Sequence, residues 1–316
     1  MKKEDNMKRM IWIVVLLFFF TFLGTEGTAA DRIVLKKYPG FKIGLLNVNF
    51  MNQWPLGVES AKKVIDFAAE KGFSWIELRD LQATLSLAQA KDLAAYADKH
   101  GVEVGYATAV GLLDPSFWEV FSRALANAAV FEGPRTIRTS GAGPEFANDP
   151  KKTHWTFVEL QKAVETANTA ANMAKSFGLQ HVVENAYEVI KGDGVSTFGA
   201  VELFGNTNSN FGLQFDTANF FCGISRKWTK PEEAQAFLEK YIKRMGYMHL
   251  KTSSPDHKPQ KILGDNELSF ETIFEITAKS NPSAYIAIEL DRPATIEEVI
   301  ANHAKSVEYL QQKFGK

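Results

Sequence analysis

The chain has 316 residues, with 36 basic and 37 acidic side chains. The resulting net charge of −1 removes any general electrostatic attraction for nucleic acid. A single cysteine, Cys222, excludes an intrachain disulfide, so a fold of this length is held by its apolar core. At the N-terminus, Lys2, Lys3, Lys8 and Arg9 outweigh Glu4 and Asp5, Ile11 to Gly24 is apolar, and Thr28-Ala29-Ala30 supplies small residues ahead of Asp31. That layout predicts a bacterial-type secretory signal peptide over residues 1–30, cleaved near Ala30. The apolar run is short of the roughly 20 residues a membrane span needs, so the expectation is a periplasmic or secreted protein with no stable span after cleavage.

Residues 31–316 are expected to form one domain. Phe41 to Phe50 reads as a first strand, and Val58 to Lys71 carries apolar residues at helical spacing up to a closing Gly72. Phe73 to Leu78 is a second strand; Ser86 to His100 is an amphipathic helix closed by Gly101. Val102 to Thr108 is a third strand, followed by a helix from Pro115 to Ala129 with Asp114 as its cap. Pro134 to Thr139 is a weak fourth strand, then a glycine-rich turn and a long helix from Thr153 to Phe177. Leu179 to Asn185 is strand five, with a helix expected over Val195 to Leu203. Strand six is FGLQFD, followed by a helix from Pro231 to Arg244 capped by Thr229. Gly246 to Lys251 is strand seven, with a helix at Ser269 to Ala278; Ala284 to Leu290 is strand eight, with a last helix from Thr295 to Phe314. Eight strand–helix units predict a parallel (β/α)8 TIM barrel, with a doubly wound sheet as the structural alternative.

Four of the strands end in a polar group: Glu184 in HVVENA, Asp216 in FGLQFDTANF, His249 in YMHLKTS and Glu289 in YIAIELD. Side chains alternate along a strand, so each points into the barrel mouth or toward the apolar helix layer, where a carboxylate is costly unless paired. Read alone, any one of them is explained as well by a helix cap or a rim ion pair. Four in succession from strands five to eight suit one divalent ion (Mn²⁺, Mg²⁺, Co²⁺ or Zn²⁺) with positions open for substrate oxygens. Lys251 would counter negative charge on a developing oxyanion, or simply pair with Glu289 or Asp216.

Further candidates lie along the same rim. Glu77 and Arg79 alternate with Ile76 and Leu78, Arg138 lies on strand four, and Asn185 adjoins Glu184. His154 and Trp155 follow the glycine-rich turn; the indole either faces the pocket as a stacking surface or anchors its own helix. His257 reaches the mouth only from a loop, Asn47 and Asn49 are weaker candidates, His100 and His303 read as structural or surface residues, and His181 begins strand five, away from the rim.

The stretch HLKTS…ILGDNELSFETIFEI…YIAIEL over residues 249–290, together with ENA of strand five and DTAN of strand six, resembles the xylose-isomerase-like superfamily of TIM barrels. That superfamily holds sugar and sugar-phosphate isomerases and epimerases, inosose-converting enzymes and endonuclease-four-type proteins, and the resemblance runs from Phe41 to the final helix. It implies Glu184, Asp216, His249 and Glu289 as metal ligands, with Glu184 and Glu289 facing each other across the substrate. Asn219 stands where members often have a histidine, and Thr252 where many have an acid. An amide donates and accepts hydrogen bonds but shuttles no proton, so Asn219 would orient a sugar hydroxyl.

The expected activity is a metal-dependent isomerase or epimerase acting on a carbohydrate by enediolate proton transfer, with Glu184, Glu289 and Lys251 as its catalytic groups. Export, and a GAGPE turn without the lysine and serine of a nucleotide loop, favour an unphosphorylated sugar or keto-sugar. Two rivals remain: a non-catalytic exported carbohydrate-binding barrel, favoured by Asn219, and a metal-dependent lyase or hydratase acting on oxidised sugars. A repair endonuclease would need more histidines and a basic face. Homo-oligomerisation is left open.

Overall fold

The computed structural model describes residues 31–55, 57–80, 83–141, 155–185, 195–196, 198–222, 230–254, 256, 258–291 and 295–315. Its strands are β1 (Lys42–Leu46), β2 (Trp75–Arg79), β3 (Glu103–Gly111), β4 (Thr136–Ser140), β5 (Gln180–Glu184), β6 (Phe211–Asp216), β7 (Met245–Leu250) and β8 (Tyr285–Ile288). The helices that follow them in turn are α1 (Val58–Glu70), α2 (Leu87–Lys99), α3 (Phe117–Ala128), α4 (Phe157–Ser176), α5 (Ala200–Asn206), α6 (Pro231–Tyr241), α7 (Phe270–Ser280) and α8 (Ile296–Phe314). Each strand pairs in parallel with its chain neighbour, and β1 pairs with β8, which closes the barrel in the order β1 to β8. This is a (β/α)8 barrel, and the doubly wound alternative falls.

The alternation expected of barrel strands sorts the side chains. Ile43, Leu45, Ile76, Leu78, Ile137, Val183, Leu213 and Phe215 join the core shared with the helices. Leu46, Trp75, Val182, Tyr247 and Ala287 fill the barrel itself. Gly44 is a glycine because Trp75 lies against it: a Cβ there would sit 2.5 Å from the indole. Below that indole, Lys42 Nζ meets Glu103 Oε1 at 2.6 Å and the Tyr285 hydroxyl at 2.9 Å, and that hydroxyl donates to Glu103 Oε2 at 2.5 Å. Trp75 and this polar triad seal the N-terminal end, leaving the C-terminal rim for chemistry.

The element boundaries depart from the sequence expectation where side chains replace the backbone. The first strand stops at Leu46, and Asn47–Phe50 is a 3-10 turn. Asn47 Oδ1 accepts from Arg79 N at 2.9 Å and its Nδ2 donates to Arg79 O at 3.2 Å, continuing the β1–β2 ladder with an amide side chain. Asn49 does the same toward β8, donating to Ile288 O at 2.9 Å and accepting from Leu290 N at 3.3 Å. Asp114 does not cap α3: its carboxylate accepts from Ser116 N and Oγ in a turn just ahead of the helix. Helix α4 begins at Phe157, where Thr156 caps it in a capping box with Glu159; the expected start at Thr153 lies outside the described residues. Helix α5 starts at Ala200 because Glu202 reaches back to Gly199 N at 2.7 Å. Thr229 lies outside the described residues, and Lys230 precedes α6. The glycines expected to close α1, α2 and α4 (Gly72, Gly101 and Gly178) all have φ between +64° and +76°.

Two histidines are buried as part of this framework. His303 is packed by Phe50, Phe67 and Phe73, with Nδ1 on Val299 O at 2.8 Å and Nε2 near the Asn49 amide at 3.1 Å. His181 sits among Phe117, Phe121 and Phe211. Burial pushes His181 down to about 3 and His303 down to about 4, against an ordinary 6.5. Their contribution is complete above pH ~6.5 and is lost as pH falls toward those folded values, at about 1.4 kcal/mol per unit for each group. Urea unfolding midpoints are expected to fall between pH 7.5 and pH 5, and to fall less in a His303→Gln variant; a variant with the same pH slope as wild type would show that this imidazole is not buried neutral.

Candidate metal centre

At the C-terminal rim, Glu184 ends β5, Asp216 ends β6, His249 lies near the end of β7 and Glu289 follows β8. Each offers one ligand atom, and the four atoms lie within 4.8 Å of one another. Local hydrogen bonds prepare them. Ala218 N and Asn219 N both donate to Asp216 Oδ1 at 2.8 Å, which leaves Oδ2 buried with no hydrogen-bond partner. Asn185 joins β5 to β6 through its side chain, accepting from Asp216 N at 2.6 Å and donating to Asp216 O at 3.0 Å. Thr217 Oγ1 links β6 to β7, donating to Lys251 O at 2.6 Å and accepting from Lys251 N at 3.0 Å.

His249 is oriented from across the barrel. Its Nε2 is 2.7 Å from Glu77 Oε2 on β2, and the Tyr247 hydroxyl donates to the same oxygen at 2.6 Å. The other ring nitrogen, Nδ1, lies 2.8 Å from Glu289 Oε2 and 3.7 Å from Glu184 Oε1, aligned for a hydrogen bond with neither. A buried imidazole nitrogen and a buried carboxylate oxygen, both unpartnered and flanked by two further carboxylates, fit a divalent cation. The oxygen-rich, single-imidazole set suits Mn²⁺, Mg²⁺, Co²⁺ or Zn²⁺.

Charge is balanced group by group. Burial opposes ionisation of both flanking glutamates; Arg138 beside Glu184, and Lys251 beside Glu289, outweigh it and hold both carboxyls below the usual range. Arg138 Nη2 pairs with Glu184 Oε2, and Lys251 Nζ is 2.7 Å from Glu289 Oε1 and 3.8 Å from Asp216 Oδ2. Burial pushes Asp216 up to about 7, with Glu289 and Glu184 adding to the rise against Lys251. A cation among the three carboxylates would relieve that conflict.

The expected site residues sort unevenly. Glu184, Asp216, His249, Glu289 and Lys251 come together. Glu77 lies on the floor of the mouth as the partner of His249, Asn185 is a strand joint, and Arg138 holds Glu184. Asn219 Nδ2 donates to Glu184 Oε1 at 3.0 Å, so the amide binds a neighbouring ligand residue. Trp155 is wholly buried in the core, hydrogen-bonded through its backbone to Phe198, and anchors the start of α4. His154 and His257 lie outside the described residues. Asp265, the acid of the GDN segment, pairs with Tyr309 and Lys313 at the surface; it is Asn266 that turns inward, donating to Thr217 O at 3.0 Å. Sequence reasoning missed Tyr247, although its place two residues before His249 puts it on the same inward face of β7.

An eight-stranded parallel barrel with carboxylates and an imidazole converging at its C-terminal rim defines the class as a (β/α)8 barrel with a candidate cation site at its mouth. The profile of the xylose isomerase-like TIM barrel family matches residues 65–313, and the chain belongs to that family. No curated protein matches the sequence. Among solved structures, the chain is similar to a D-allulose 3-epimerase from Methylomonas sp. in complex with D-allulose (14% identity, TM-score 0.64), over 90% of this chain and 99% of that one. It is also similar to a xylose isomerase-like TIM barrel protein from Mycobacterium smegmatis in complex with magnesium (15% identity, TM-score 0.62, 86% and 97% covered). A third is a sugar phosphate isomerase/epimerase from Parabacteroides distasonis (16% identity, TM-score 0.62, 91% and 96% covered). At these identities the likeness is one of fold.

Because Glu77 fixes the ring of His249, Glu77→Gln is expected to weaken divalent-ion binding about 10- to 100-fold. Titration with Mn²⁺ followed by electron paramagnetic resonance checks this, with Asp216→Ala expected to abolish uptake; unchanged affinity in Glu77→Gln would remove the orienting role.

Proposed function

We propose that the chain is a metal-dependent isomerase or epimerase of an unphosphorylated sugar or keto-sugar. The observation that carries this reading is the convergence of Glu184, Asp216, His249 and Glu289 at one rim, with the two glutamates on either side of the unpartnered His249 nitrogen. A divalent ion held there supplies electrophilic polarisation of a carbonyl oxygen. Glu184 and Glu289 act as the proton carriers: one, ionised, removes the hydrogen on the carbon beside the carbonyl; for epimerisation the other, having first taken a proton from solvent, returns one to that same carbon, and for isomerisation the first passes its proton to the former carbonyl carbon. Arg138 and Lys251 favour the ionised form of the two carboxylates, which suits whichever of them acts as the base. Lys251 is also placed to donate to an oxygen that gains negative charge. The buried floor of Glu77 and Tyr247 excludes water from beneath the ligands.

The relatives of similar fold include a D-allulose 3-epimerase and a sugar phosphate isomerase/epimerase, which supports sugar chemistry as a class. The leader over residues 1–30 supports export, hence a substrate available outside the cytoplasm and not phosphorylated. A second reading, a carbohydrate-binding barrel without turnover, is favoured by Asn219, whose amide occupies one Glu184 oxygen where a histidine would offer a titrating group.

Hydrogen exchange separates the two. With Mn²⁺ in D₂O, NMR is expected to show deuterium entering the carbon next to the carbonyl of at least one sugar in a panel of free ketoses and aldoses. Glu184→Gln and Glu289→Gln should each slow that exchange by about 10²- to 10⁴-fold. Sugar binding with no deuterium uptake would establish the non-catalytic reading.

A further inference from the structure

The inward side chains of the mouth divide by charge. On β5, β6 and β8 the rim residues are carboxylates; on β2 and β4 they are Arg79 and Arg138. The register places these two guanidinium-bearing residues at one level, because Arg79 on β2 and Arg138 on β4 both pair with Ala107 on β3. Ala107, the inward residue between them, projects only a methyl group, and Gly105 below it projects nothing. The two cations therefore flank a strand that puts no side chain longer than a methyl group between them.

The two arginines differ in their partners. Arg138 is fully buried and pairs with Glu184, although its Nε and Nη1 are unpartnered. Arg79 is half-buried one inward step above Glu77, and among the described residues its guanidinium has no ion pair or hydrogen bond, its Nε being buried and unpartnered. Burial and then Arg138 depress its proton affinity, and Glu184, Glu77 and Glu289 raise it only at a distance, without an ion pair among the described residues.

Charge counting indicates what would satisfy it. Arg79, Arg138 and Lys251 oppose Glu77, Glu184, Asp216 and Glu289; an ion on His249 Nδ1 would leave that imidazole neutral, so the side chains of the loaded mouth sum to one net negative charge. A divalent ion turns that into one net positive charge, and a single anionic group on the substrate neutralises it. In an eight-stranded ring β2 lies opposite β6, so a sugar whose vicinal oxygens face the β5–β8 ligands extends its far end toward Arg79.

We propose that Arg79 is the anion-binding residue of the mouth and that the substrate is a sugar acid, a monoanion whose carboxylate lies against Arg79. This rests on the reading of the rim as a metal-assisted sugar site, and it adds the substrate class. It is a binding assignment that requires no chemistry beyond that already described.

The test uses the protein from residue 31 onward, loaded with Mn²⁺, and calorimetric titration of matched probes: D-glucuronate against D-glucose, D-galacturonate against D-galactose, and D-glucose 6-phosphate. In at least one pair the acid is expected to bind at least about tenfold tighter than its neutral parent. That preference should vanish in Arg79→Gln and persist in part in Arg79→Lys, while both variants still take up Mn²⁺, which reports an intact fold and ion site. Equal binding of acids and neutral sugars by wild type, a preference that survives Arg79→Gln, or Mn²⁺ uptake with no sugar bound would each overturn the proposal and leave the ion site standing. D-glucose 6-phosphate binding most tightly, with loss of that binding in Arg79→Gln, would overturn the carboxylate in favour of a phosphate. Failure to take up Mn²⁺ at all would defeat the parent reading first.

Discussion

Glu77 and His249 come from opposite sides of the barrel and meet at 2.7 Å, and the organisation of the mouth depends on that contact. It ties β2 to β7, fixes the plane of the imidazole and turns Nδ1 toward the two glutamates. Tyr247 adds a second donor to the same carboxylate oxygen, so Glu77 can remain buried and charged. Burial opposes the ionised form of Glu77, and the imidazole outweighs it, with Arg138 and Arg79 helping. Each charged group above this floor is then placed by reference to a ring that cannot rotate freely.

A second constraint operates where strands become loops. A parallel ladder must end somewhere, and at the rim its last N–H and C=O groups need partners. Asn47, Asn49, Asn185 and Thr217 supply them from side chains, joining β1 to β2, β1 to β8, β5 to β6 and β6 to β7. The backbone is thereby held rigid just where Asp216, Lys251 and Glu289 depart from it. This pre-positioning keeps ligand atoms close together despite their mutual repulsion.

The eight strand–helix units were legible because each strand is a compact apolar run and each helix has a 3.6-residue period, both local properties. Glu184, Asp216, His249 and Glu289 were legible for a related reason: a polar residue ending an apolar strand has few places to go. The links between them were not. Glu77 and His249 are far apart in the chain, and nothing local to IELR or MHLK indicates that one orients the other. The amide joints were obscured in the same way, since Asn47 and Asn49 looked like the tail of a strand and are the turn that ends it. Trp155 illustrates a different limit. An indole beside a glycine-rich turn suits a sugar platform and a core anchor equally, and only tertiary packing decides for the core.

The closed base of the barrel has a consequence for the order of events. Lys42, Glu103 and Tyr285 lock together beneath Trp75, so the deep site has no rear passage. Anything reaching the His249 nitrogen must enter by the rim and leave by it. On the proposed reading, an ion at the His249 nitrogen would lie beneath a sugar entering by the rim, so it would have to bind first.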